Sequence, residues 1–320
     1  MKTVIESFFN SLKTGEPCSF KGLTAFPVFS TLPEGVDFAT LTEAFREDWI
    51  EIRELTQGGS VPELLVINKS DRNILILDSE ELQGAKQNRV LNITVLVTAW
   101  SKVVVPVSCT ERGRWHYLSN VFSDSGTMAA RTVRFSKNRS VGENLRRDST
   151  FRSDQMEVWD KVDELSMRSG TMSRTQAMRD VFVDMDEKLR SFDKAFPLSE
   201  GQRGVVFFAG KEPAGFEYVS EPRAFRDLFP KILRSYAVES LLGEAKTARA
   251  LSGDQAMAFI EKALSAETTV KHSAGRGEDI RFSGDGVIGS ALAYEDEILH
   301  AVLFPDDKEG RPGISGRPGR

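Results

Sequence analysis

Cysteine and histidine are scarce in this chain, and long apolar runs are missing. Its 320 residues include two cysteines and three histidines. Cys18 and Cys109 lie far apart without metal-ligand spacing around them, so we expect neither a disulfide framework nor a zinc site. No stretch approaches the roughly 20 apolar residues that a membrane-spanning helix needs, and the start lacks the apolar region of a signal peptide. These absences predict a cytoplasmic protein without membrane contact.

The usual catalytic signatures are missing as well. The chain has no G-x-S-x-G elbow, no phosphate-binding loop and no H-E-x-x-H motif. Gly284, Gly286 and Gly289 match G-x-G-x-x-G, but no strand-helix-strand pattern surrounds them, which makes the match uninformative. A histidine triad would have to use one of three widely separated histidines. These motifs therefore indicate no metal site, and the cofactor stays unknown.

The charge balance argues against a nucleic-acid-binding protein. The net charge is -5, whereas affinity for phosphate backbones comes from clustered lysine and arginine. One segment, residues 131–152, is nevertheless strongly basic. Two interpretations of this segment stay open, a solvated loop and an anion-binding surface.

Hydrophobic patterning predicts the fold class. Short apolar runs separated by turn residues favour an antiparallel sheet or sandwich over alternating strand-helix units. We predict a single composite α+β domain over 1–305 with flanking helices. Its β-rich parts are placed at about 48–136 and 204–304, and a central helical insertion at about 140–196. The polar, glycine-rich residues 306–320 are predicted to be a disordered tail.

Several element boundaries can be read from the same patterns. Four short strands are expected near the C-terminus, at 268–272, 279–282, 286–293 and 298–304, and a strand at 204–209 is expected to pair with one at 216–219. Ile74–Leu77 and Val90–Val97 are typical of strands. Asp154 and Ser252 can cap helices, and Ser173 can cap a further one. Pro230 predicts a kink or break in a helix that starts at about residue 222.

The connection between those two strands, Asp78–Asn92, is unusually polar. Glu80 and Glu81 could act as a general base or bind a divalent ion, provided that a loop lets both converge, since neighbours on a strand point to opposite faces. The alternative is a pair of solvated acids that balance Lys86 and Arg89.

The same segment carries candidate ligand-binding groups. Lys86 supplies a point charge and Arg89 a planar fork suited to phosphate or carboxylate. Gln87, Asn88 and Asn92 add neutral donors and acceptors that suit a base, a ribose or an amide. The competing interpretation is a network that satisfies the backbone of a buried loop.

A second polar run follows the apolar strand at 103–107. Cys109 could become a nucleophile beside a cation, although a small buried hydrophobic residue is the commoner role of a lone cysteine. Glu111 and Arg114 add charge, and Trp115 could stack on a base or pack in a core.

These two runs carry a family resemblance. Residues 80–92, E-E-L-Q-G-A-K-Q-N-R-V-L-N, and 105–115, V-P-V-S-C-T-E-R-G-R-W, resemble the ARG-and-rhodanese-phosphatase-superfamily-associated protein family. The resemblance implies a bacterial protein linked by association to NAD or ADP-ribose metabolism or to defence systems, without an established reaction. The chain has Thr98-Ala99-Trp100-Ser101 where the family pattern has a Pro-Ala-Gly-Ser turn. Because tryptophan takes a positive φ less easily than glycine, we expect an altered turn.

Together these observations favour a binding or accessory protein for an anionic, nucleotide-derived small molecule such as ADP-ribose. Lys86 and Arg89 would hold phosphate, and Glu80 or Glu81 would orient the bound group. Two alternatives remain: a carboxylate-dependent hydrolase that uses Glu80 or Glu81, and a protein-interaction module with a protein partner.

Overall fold

The structure, a computed structural model, describes residues 1–55, 62–243 and 251–306. Helices and mostly antiparallel strands both contribute, which confirms the predicted α+β class. Within the described ranges the helices are α1 (Lys2–Asn10), α2 (Leu41–Arg46), α3 (Arg131–Asp148), α4 (Gln155–Ser169), α5 (Met178–Asp184), α6 (Asp186–Ala195), α7 (Pro222–Leu242) and α8 (Gly253–Ser265).

The strands fall on both sides of the helical segment α3 to α6. Those before it are β1 (Leu12–Thr14), β2 (Cys18–Phe20), β3 (Leu23–Ser30), β4 (Ala39–Thr40), β5 (Ile50–Glu54), β6 (Glu63–Asn68), β7 (Ile74–Ile76), β8 (Glu80–Gly84), β9 (Arg89–Leu91), β10 (Val95–Val97), β11 (Lys102–Cys109) and β12 (Phe122–Met128). Those after it are β13 (Gly204–Ala209), β14 (Glu212–Val219), β15 (Glu267–His272), β16 (Glu278–Gly284), β17 (Val287–Tyr294) and β18 (Glu297–Pro305).

The largest sheet joins strands from both ends of the chain. It has nine strands in the order β1-β3-β13-β14-β18-β17-β16-β15, with β2 paired to β3. The junction is the antiparallel pair of β3 with β13, where Val206 lies opposite Phe26. Because two distant stretches form one sheet, this layer cannot be assigned to either half of the chain.

Helices cover both faces of this sheet, which explains why β13 is apolar throughout. Val205 and Phe207 lie in the core that also contains α7, whereas Val206 and Phe208 lie in the core formed with α1 and α8. Successive strand residues point to opposite faces, so in a strand covered on both sides neither set of alternate residues faces solvent, and both sets are apolar.

Two smaller sheets form the layer that positions the candidate site. One has six strands in the order β12-β8-β9-β11-β6-β5, and the other has three in the order β10-β7-β4. Their apolar side chains share a third core with α2. β5 and β6 alternate between buried and more exposed residues, as expected for strands with one covered face.

Two of the three predicted helix caps are confirmed. Asp154 accepts the backbone N–H groups of Met156 and Glu157 at the start of α4, and Ser252 forms a capping box with Gln255 at the start of α8. Ser173 does not cap α5 as predicted, because the N-cap of that helix is Ala177, which has no side-chain cap. Ser173 Oγ instead accepts the N–H of Ala177 in the turn before the helix. The four C-terminal strands and the pairing of β13 with β14 are also confirmed.

The prediction of one strand over Val90–Val97 is wrong. β9 and β10 belong to different sheets and are separated by residues 92–94. Polar groups hold this turn: the Asn92 N–H donates to the carbonyl of Pro106, and Thr94 Oγ1 accepts the N–H of Asp78 at 3.0 Å. The apolar composition of Val90–Val97 hides this interruption, because the hydrogen-bond partners of Asn92 and Thr94 lie outside the run.

The interpretation of residues 131–152 as a solvated loop is also wrong, because residues 131–148 form α3. The helical segment therefore starts before the predicted residue 140. The predicted break at Pro230 does not occur, since α7 continues through it to Leu242. Buried neighbours such as Phe229 and Ile232 hold the helix there. The predicted tail, apart from Asp306, lies outside the described residues.

Candidate functional site

The two polar runs of the sequence become neighbouring strands. β9 pairs with β11 so that Arg89 lies opposite Cys109 and Val90 opposite Ser108. β8 pairs with the other edge of β9 through Leu82 and Arg89. Residues about 20 positions apart in the chain therefore meet in the middle of the six-stranded sheet.

The polar segment is a buried hairpin, so the alternative interpretation of Glu80 and Glu81 as solvated acids is wrong. Relative exposure is 0% for Glu80, Glu81 and Arg89 and 9% or less for Lys86, Gln87, Asn88, Asn92, Glu111 and Arg114. Of the predicted site residues only Trp115 is exposed, at 51%. Buried polar groups need partners, so each side chain must be judged by the partners that it has.

Glu80 and Glu81 do not converge. Both lie on β8, where neighbouring side chains point to opposite faces. Glu80 accepts the Leu77 N–H at 2.8 Å and pairs with Lys231 Nζ at 2.8 Å. Lys231 also holds Asp124 at 2.7 Å. Burial raises the pKa of Glu80, and Lys231 partly opposes this rise. Glu80 thus forms an ion pair inside the protein.

Among the described residues, the hydrogen-bond partners of Glu81 are neutral hydroxyl groups. Thr110 Oγ1 donates to one carboxyl oxygen at 2.7 Å and Thr127 Oγ1 to the other at 2.9 Å. Thr127 reaches it because β12 has an irregularity between Asp124 and Met128 opposite β8. Burial raises the pKa of Glu81 to about 7, although the hydroxyl groups work against this rise.

Arg114 fastens the β8–β9 turn. It pairs with Glu111 through Nε and Nη2 at 2.9 and 2.6 Å. It also donates to the carbonyls of Ala85 and Gly84 at 2.7 and 3.2 Å and to Asn88 Oδ1 at 3.2 Å. Burial alone would raise the pKa of Glu111, but the hydrogen bonds from Arg114 hold it below its usual value. Arg114 therefore satisfies backbone carbonyls of this turn.

Arg89 is placed differently. Its Nη1 donates to Gln87 Oε1 at 3.0 Å, and that oxygen also receives the Cys109 thiol at 3.1 Å. Arg89 Nε and Nη2 have no hydrogen-bond partner among the described residues. The nearest carboxylate is Glu54, whose Oε1 lies 3.9 Å from Nη2. Cys109 is fully buried, and burial raises the pKa of its thiol.

Sequence reasoning missed Glu54, although a signal was present. On β5 the buried positions are Ile50, Ile52 and Glu54, so the Glu54 side chain is on the inward-facing side of the strand. Burial raises the pKa of Glu54, and Arg89 and then Lys86 oppose the rise. An acid at a strand position that faces the apolar core usually has a charged or polar partner inside the protein.

Aromatic rings border this part of the hairpin. Lys86 Nζ lies 5.2 Å from the ring centre of Trp115 and 5.1 Å from that of Tyr117, distances typical of cation–π contacts. Tyr117 is 45% exposed. The rings therefore form an exposed rim beside a nearly buried lysine.

Asn92 lies apart from this group. Its Nδ2 donates to the Phe151 carbonyl at 3.0 Å, and its Oδ1 accepts from Ser108 Oγ at 2.6 Å. Its own carbonyl accepts from Lys137 Nζ at 3.1 Å. The structure gives Asn92 a role in joining β9 to α3.

A second buried ionic cluster was not predicted from the sequence. Arg134 Nη1 lies 2.7 Å from Glu217 and Nη2 lies 3.6 Å from Asp78, while Lys137 Nζ lies 3.4 Å from Asp78. Burial would raise the pKa of Asp78, but Lys137 and Arg134 lower it to about 2. Burial lowers the pKa of Lys137 to about 8. The sequence contained one indication of this buried helix face: Arg134 and Lys137 lie at helical spacing next to the apolar residues Val133 and Val141.

Two kinds of feature are absent from the described residues. No group of three or more histidine, cysteine, aspartate or glutamate side chains there could hold a metal ion. No helix in that part of the chain combines the length and apolar character needed to cross a membrane.

Fold and site together define an α+β protein whose polar motif residues form a buried hydrogen-bonded hairpin beside an exposed aromatic rim. The chain belongs to a known family: the model of the ARG and Rhodanese-Phosphatase-superfamily-associated Protein domain (ARPP-1) matches residues 11–304. The resemblance inferred from 80–92 and 105–115 is thereby confirmed. No curated protein and no solved structure shows significant similarity to the chain.

Proposed function

We propose that the protein binds a small anionic, nucleotide-derived ligand such as ADP-ribose, as an accessory protein in NAD- or ADP-ribose-linked or defence-associated systems. The observation that carries this proposal is the unused edge of the buried Arg89 guanidinium, formed by Nε and Nη2. The family name, which records association with other proteins, supports an accessory role.

The unused edge of Arg89 has the geometry of an anion receptor. Nε–H and the adjacent Nη2–H point in parallel and match two oxygens of a phosphate or carboxylate. A buried donor without a partner costs about 1–3 kcal/mol. A ligand oxygen that reaches this edge removes that cost, so binding energy is available at this position.

Glu54 makes the proposed site sensitive to protons. Its carboxyl oxygen lies 3.9 Å from Arg89 Nη2, beyond hydrogen-bond range, and burial raises its pKa. As a neutral acid it can donate to a ligand oxygen, whereas its ionised form repels an anion. We therefore expect anion affinity to decrease as the pH rises through the pKa of Glu54.

The remaining predicted residues take supporting roles in this proposal. Gln87 orients Arg89, and Asn88 supports the turn through Arg114. Lys86 adds positive charge near Glu54. Trp115 and Tyr117 offer exposed faces on which a base can stack, a contact worth about 1–3 kcal/mol per base.

The decisive experiment is calorimetry with inorganic phosphate, AMP and ADP-ribose on wild type and two charge variants. Glu54→Gln should tighten anion binding several-fold, because it removes a negative charge near the proposed phosphate position. Glu51→Gln is the matched control, since Glu51 is on the same strand but pairs with Arg53. Arg89→Lys, checked for folding by circular dichroism, should lose binding because lysine lacks the fork.

The stacking role is tested separately. Trp115→Ala should weaken AMP and ADP-ribose while leaving phosphate affinity unchanged, and Trp100→Ala is the control because Trp100 is exposed on a different turn. No heat with any of the three ligands, for wild type or Glu54→Gln, would contradict the binding proposal.

One observation favours the hydrolase alternative. Glu81, with a pKa of about 7 and neutral partners, can exchange a proton near neutral pH, as a general acid or base must. Product analysis with ADP-ribose should then show turnover that Glu81→Gln removes while binding persists. Absence of product from wild type would rule out this reaction on ADP-ribose and leave the binding proposal in place.

The interaction-module alternative has its own support. The segment between β11 and β12 exposes four large apolar residues, Trp115, Tyr117, Leu118 and Val121. Exposed aromatic residues on a fixed loop are typical of protein interfaces. This alternative predicts no affinity for small anions, so the calorimetry separates it from the preferred proposal.

A further inference from the structure

Strand β15 forms one edge of the nine-stranded sheet. Of the described strands only β16 pairs with it, through six consecutive residue pairs that run from Glu267–Ser283 to His272–Glu278 without a bulge. The side chains of β15 are exposed or half-buried along its whole length. Its other side is therefore open to solvent.

The other sheet edges in the described ranges differ from β15. The edge strands β1, β2, β4 and β10 have only two or three residues each. The two edges of the six-stranded sheet, β5 and β12, contact each other, and the pairing of β12 is irregular. Short strands and bulges are two ways in which proteins keep edges from pairing with another chain. β15 has neither.

The backbone of β15 presents unused hydrogen-bonding groups on its open side. The Ser273 N–H donates to the Gly277 carbonyl at 3.0 Å, and this pair continues the register of β15 with β16. Along an antiparallel strand the backbone groups of successive residues point to alternate sides. The N–H and C=O groups of Thr268, Val270 and His272 therefore point away from β16.

The sequence of β15 is complementary to itself. Residues opposite each other in an antiparallel pair lie on the same face of the sheet, so a two-fold symmetric pair of β15 strands must be centred on one residue. Centring on Thr269 places Glu267 opposite Lys271 of the second copy, and this happens twice by symmetry. Centring on Thr268 or Val270 leaves both charges opposite uncharged residues.

The charges on β15 therefore have an effect opposite to the usual one. Charged side chains on an edge strand commonly oppose pairing with other chains. In β15 the two signs lie at equal distances on either side of Thr269, so a second copy of the same strand meets attraction at both positions. The three residues between them, Thr268, Thr269 and Val270, are β-branched and suit a paired strand.

We propose that β15 is an interaction surface for a second copy of this chain, which pairs with it antiparallel about Thr269 and joins the two nine-stranded sheets. Thr268 and Val270 exchange backbone hydrogen bonds with Val270 and Thr268 of the second copy, and main-chain bonds of this kind supply affinity in strand addition. The surface belongs to a different sheet from the Arg89 hairpin, so it does not depend on the proposed ligand.

The first test is sedimentation equilibrium of the full chain over a range of concentrations. We expect the average mass to rise from that of one chain to that of two with increasing concentration. The mass of a single chain at every concentration would overturn the proposal.

Charge reversal tests the register. Lys271→Glu should weaken self-association about tenfold or more, because it places like charges opposite each other at both symmetric positions. Glu267→Lys should do the same, and the double variant should restore the wild-type affinity. Lys211→Glu is the control for net charge, since Lys211 is exposed in the turn between β13 and β14. A double variant as weak as the single ones, or an equal effect of the control, would refute the pairing.

A proline variant tests the role of the open backbone edge. Val270→Pro removes an N–H that points to solvent in the single chain, a position where edge strands tolerate proline. It should abolish the dimer while the far-ultraviolet circular dichroism stays unchanged. Val270→Thr is the matched control, because it keeps the N–H and should still associate. A folded proline variant that associates like wild type would overturn the proposal, and the charge variants decide if this one does not fold.

Disulfide trapping tests the centre of the pair. In the proposed register Thr269 lies opposite its own copy at a non-hydrogen-bonded pair, where the Cα atoms are about 4.5 Å apart, within the range of about 4.4–6.8 Å that a disulfide spans. Thr269→Cys should form a covalent dimer on mild oxidation. Cys18→Ser serves as the background, because Cys18 is a partly exposed thiol. Val270→Cys should not crosslink, and crosslinking of this variant in preference to Thr269→Cys would refute the register.

Discussion

At the residue scale, Arg89 and Arg114 show how one side-chain type takes two roles within one hairpin. Arg114 uses Nε, Nη1 and Nη2 in hydrogen bonds, three of them to backbone carbonyls. Arg89 is equally buried but leaves the Nε–Nη2 edge without a hydrogen-bond partner in the described residues. The first pattern stabilises a turn, and the second offers a receptor for an anion.

Trp100 shows a backbone cost without a packing benefit. It has φ +53° and is 71% exposed, so the turn keeps the positive φ that the sequence comparison had led us to doubt. We predict that Trp100→Gly increases the free energy of unfolding by about 1 kcal/mol, because glycine adopts this conformation without strain. Urea denaturation measures the change.

The neighbouring position provides the control for that prediction. Ala99 is not among the residues with positive φ, so Ala99→Gly should decrease stability by roughly 0.5–1 kcal/mol through unfolded-state entropy. If Trp100→Gly also destabilises the protein, the ring must make a stabilising contact that outweighs the strain.

Glu81 should make stability depend on pH in a defined direction. Its pKa is about 7 in the folded state against 4.5 as the ordinary value, so the folded state holds the proton more tightly. The stabilisation is complete below about pH 4.5 and is lost as the pH rises through 7. Relative to Glu81→Gln, wild type should lose about 3 kcal/mol between these limits.

Denaturation of wild type and Glu81→Gln at several pH values measures that difference. Other titrating groups cancel in the subtraction when the two proteins share the same structure. A difference that does not vary between pH 4 and 8 would mean that Glu81 is ionised in the folded protein at no extra cost, and would remove the main support for the hydrolase alternative.

At the element scale, α3 carries charges on the face that it buries. Arg134 and Lys137 are 0% exposed and contact Asp78, which precedes β8. A lysine or arginine usually indicates a solvent-exposed position. On a helix packed against a buried carboxylate, however, the same residue can be fully buried as its ion-pair partner.

A double-mutant cycle tests that pairing. Lys137→Met and Asp78→Asn should each destabilise the protein by about 3 kcal/mol, because each leaves a buried charge with fewer partners. The double variant should lose clearly less than the sum of the two, since no new unpaired charge remains at this pair. Chemical denaturation gives the three free energies, and strict additivity would show that the two groups act independently.

At the scale of the whole molecule, the nine-stranded sheet links both ends of the described chain. β3, which also pairs with β1 and β2, pairs with β13, and α1 packs on α8. The helices α3 to α6 contribute to the same core as α7 and the sheet. This arrangement predicts that the molecule unfolds as one cooperative unit.

The distribution of tryptophan makes that prediction testable. The four tryptophans, Trp49, Trp100, Trp115 and Trp159, all lie before residue 160, so their fluorescence reports only the first half of the chain. Far-ultraviolet circular dichroism reports all helices and strands. The two unfolding transitions in urea should coincide; separated midpoints would indicate two units that unfold independently.

The sequence by itself determined the elements whose patterns are local. Short strand-like runs marked the C-terminal strands, and Asp154 and Ser252 marked helix starts, because capping and local residue patterns act within a few residues. The two polar runs were also recognisable as one family's motif. Glu54 occupies an inward-facing strand position and Arg134 a buried helix face. Their burial could have been predicted from the sequence only if the boundaries of that strand and that helix had been assigned correctly.

Only the tertiary structure decided which of those polar residues face each other and which face solvent. Glu80 and Glu81 differ by one position, yet one pairs with Lys231 from α7 and the other with hydroxyl groups from β11 and β12. The partners come from elements up to about 150 residues away, and burial changes the pKa of both acids. Long-range pairing and desolvation depend on the packed fold, so the chemistry of the site could not be read from the local sequence.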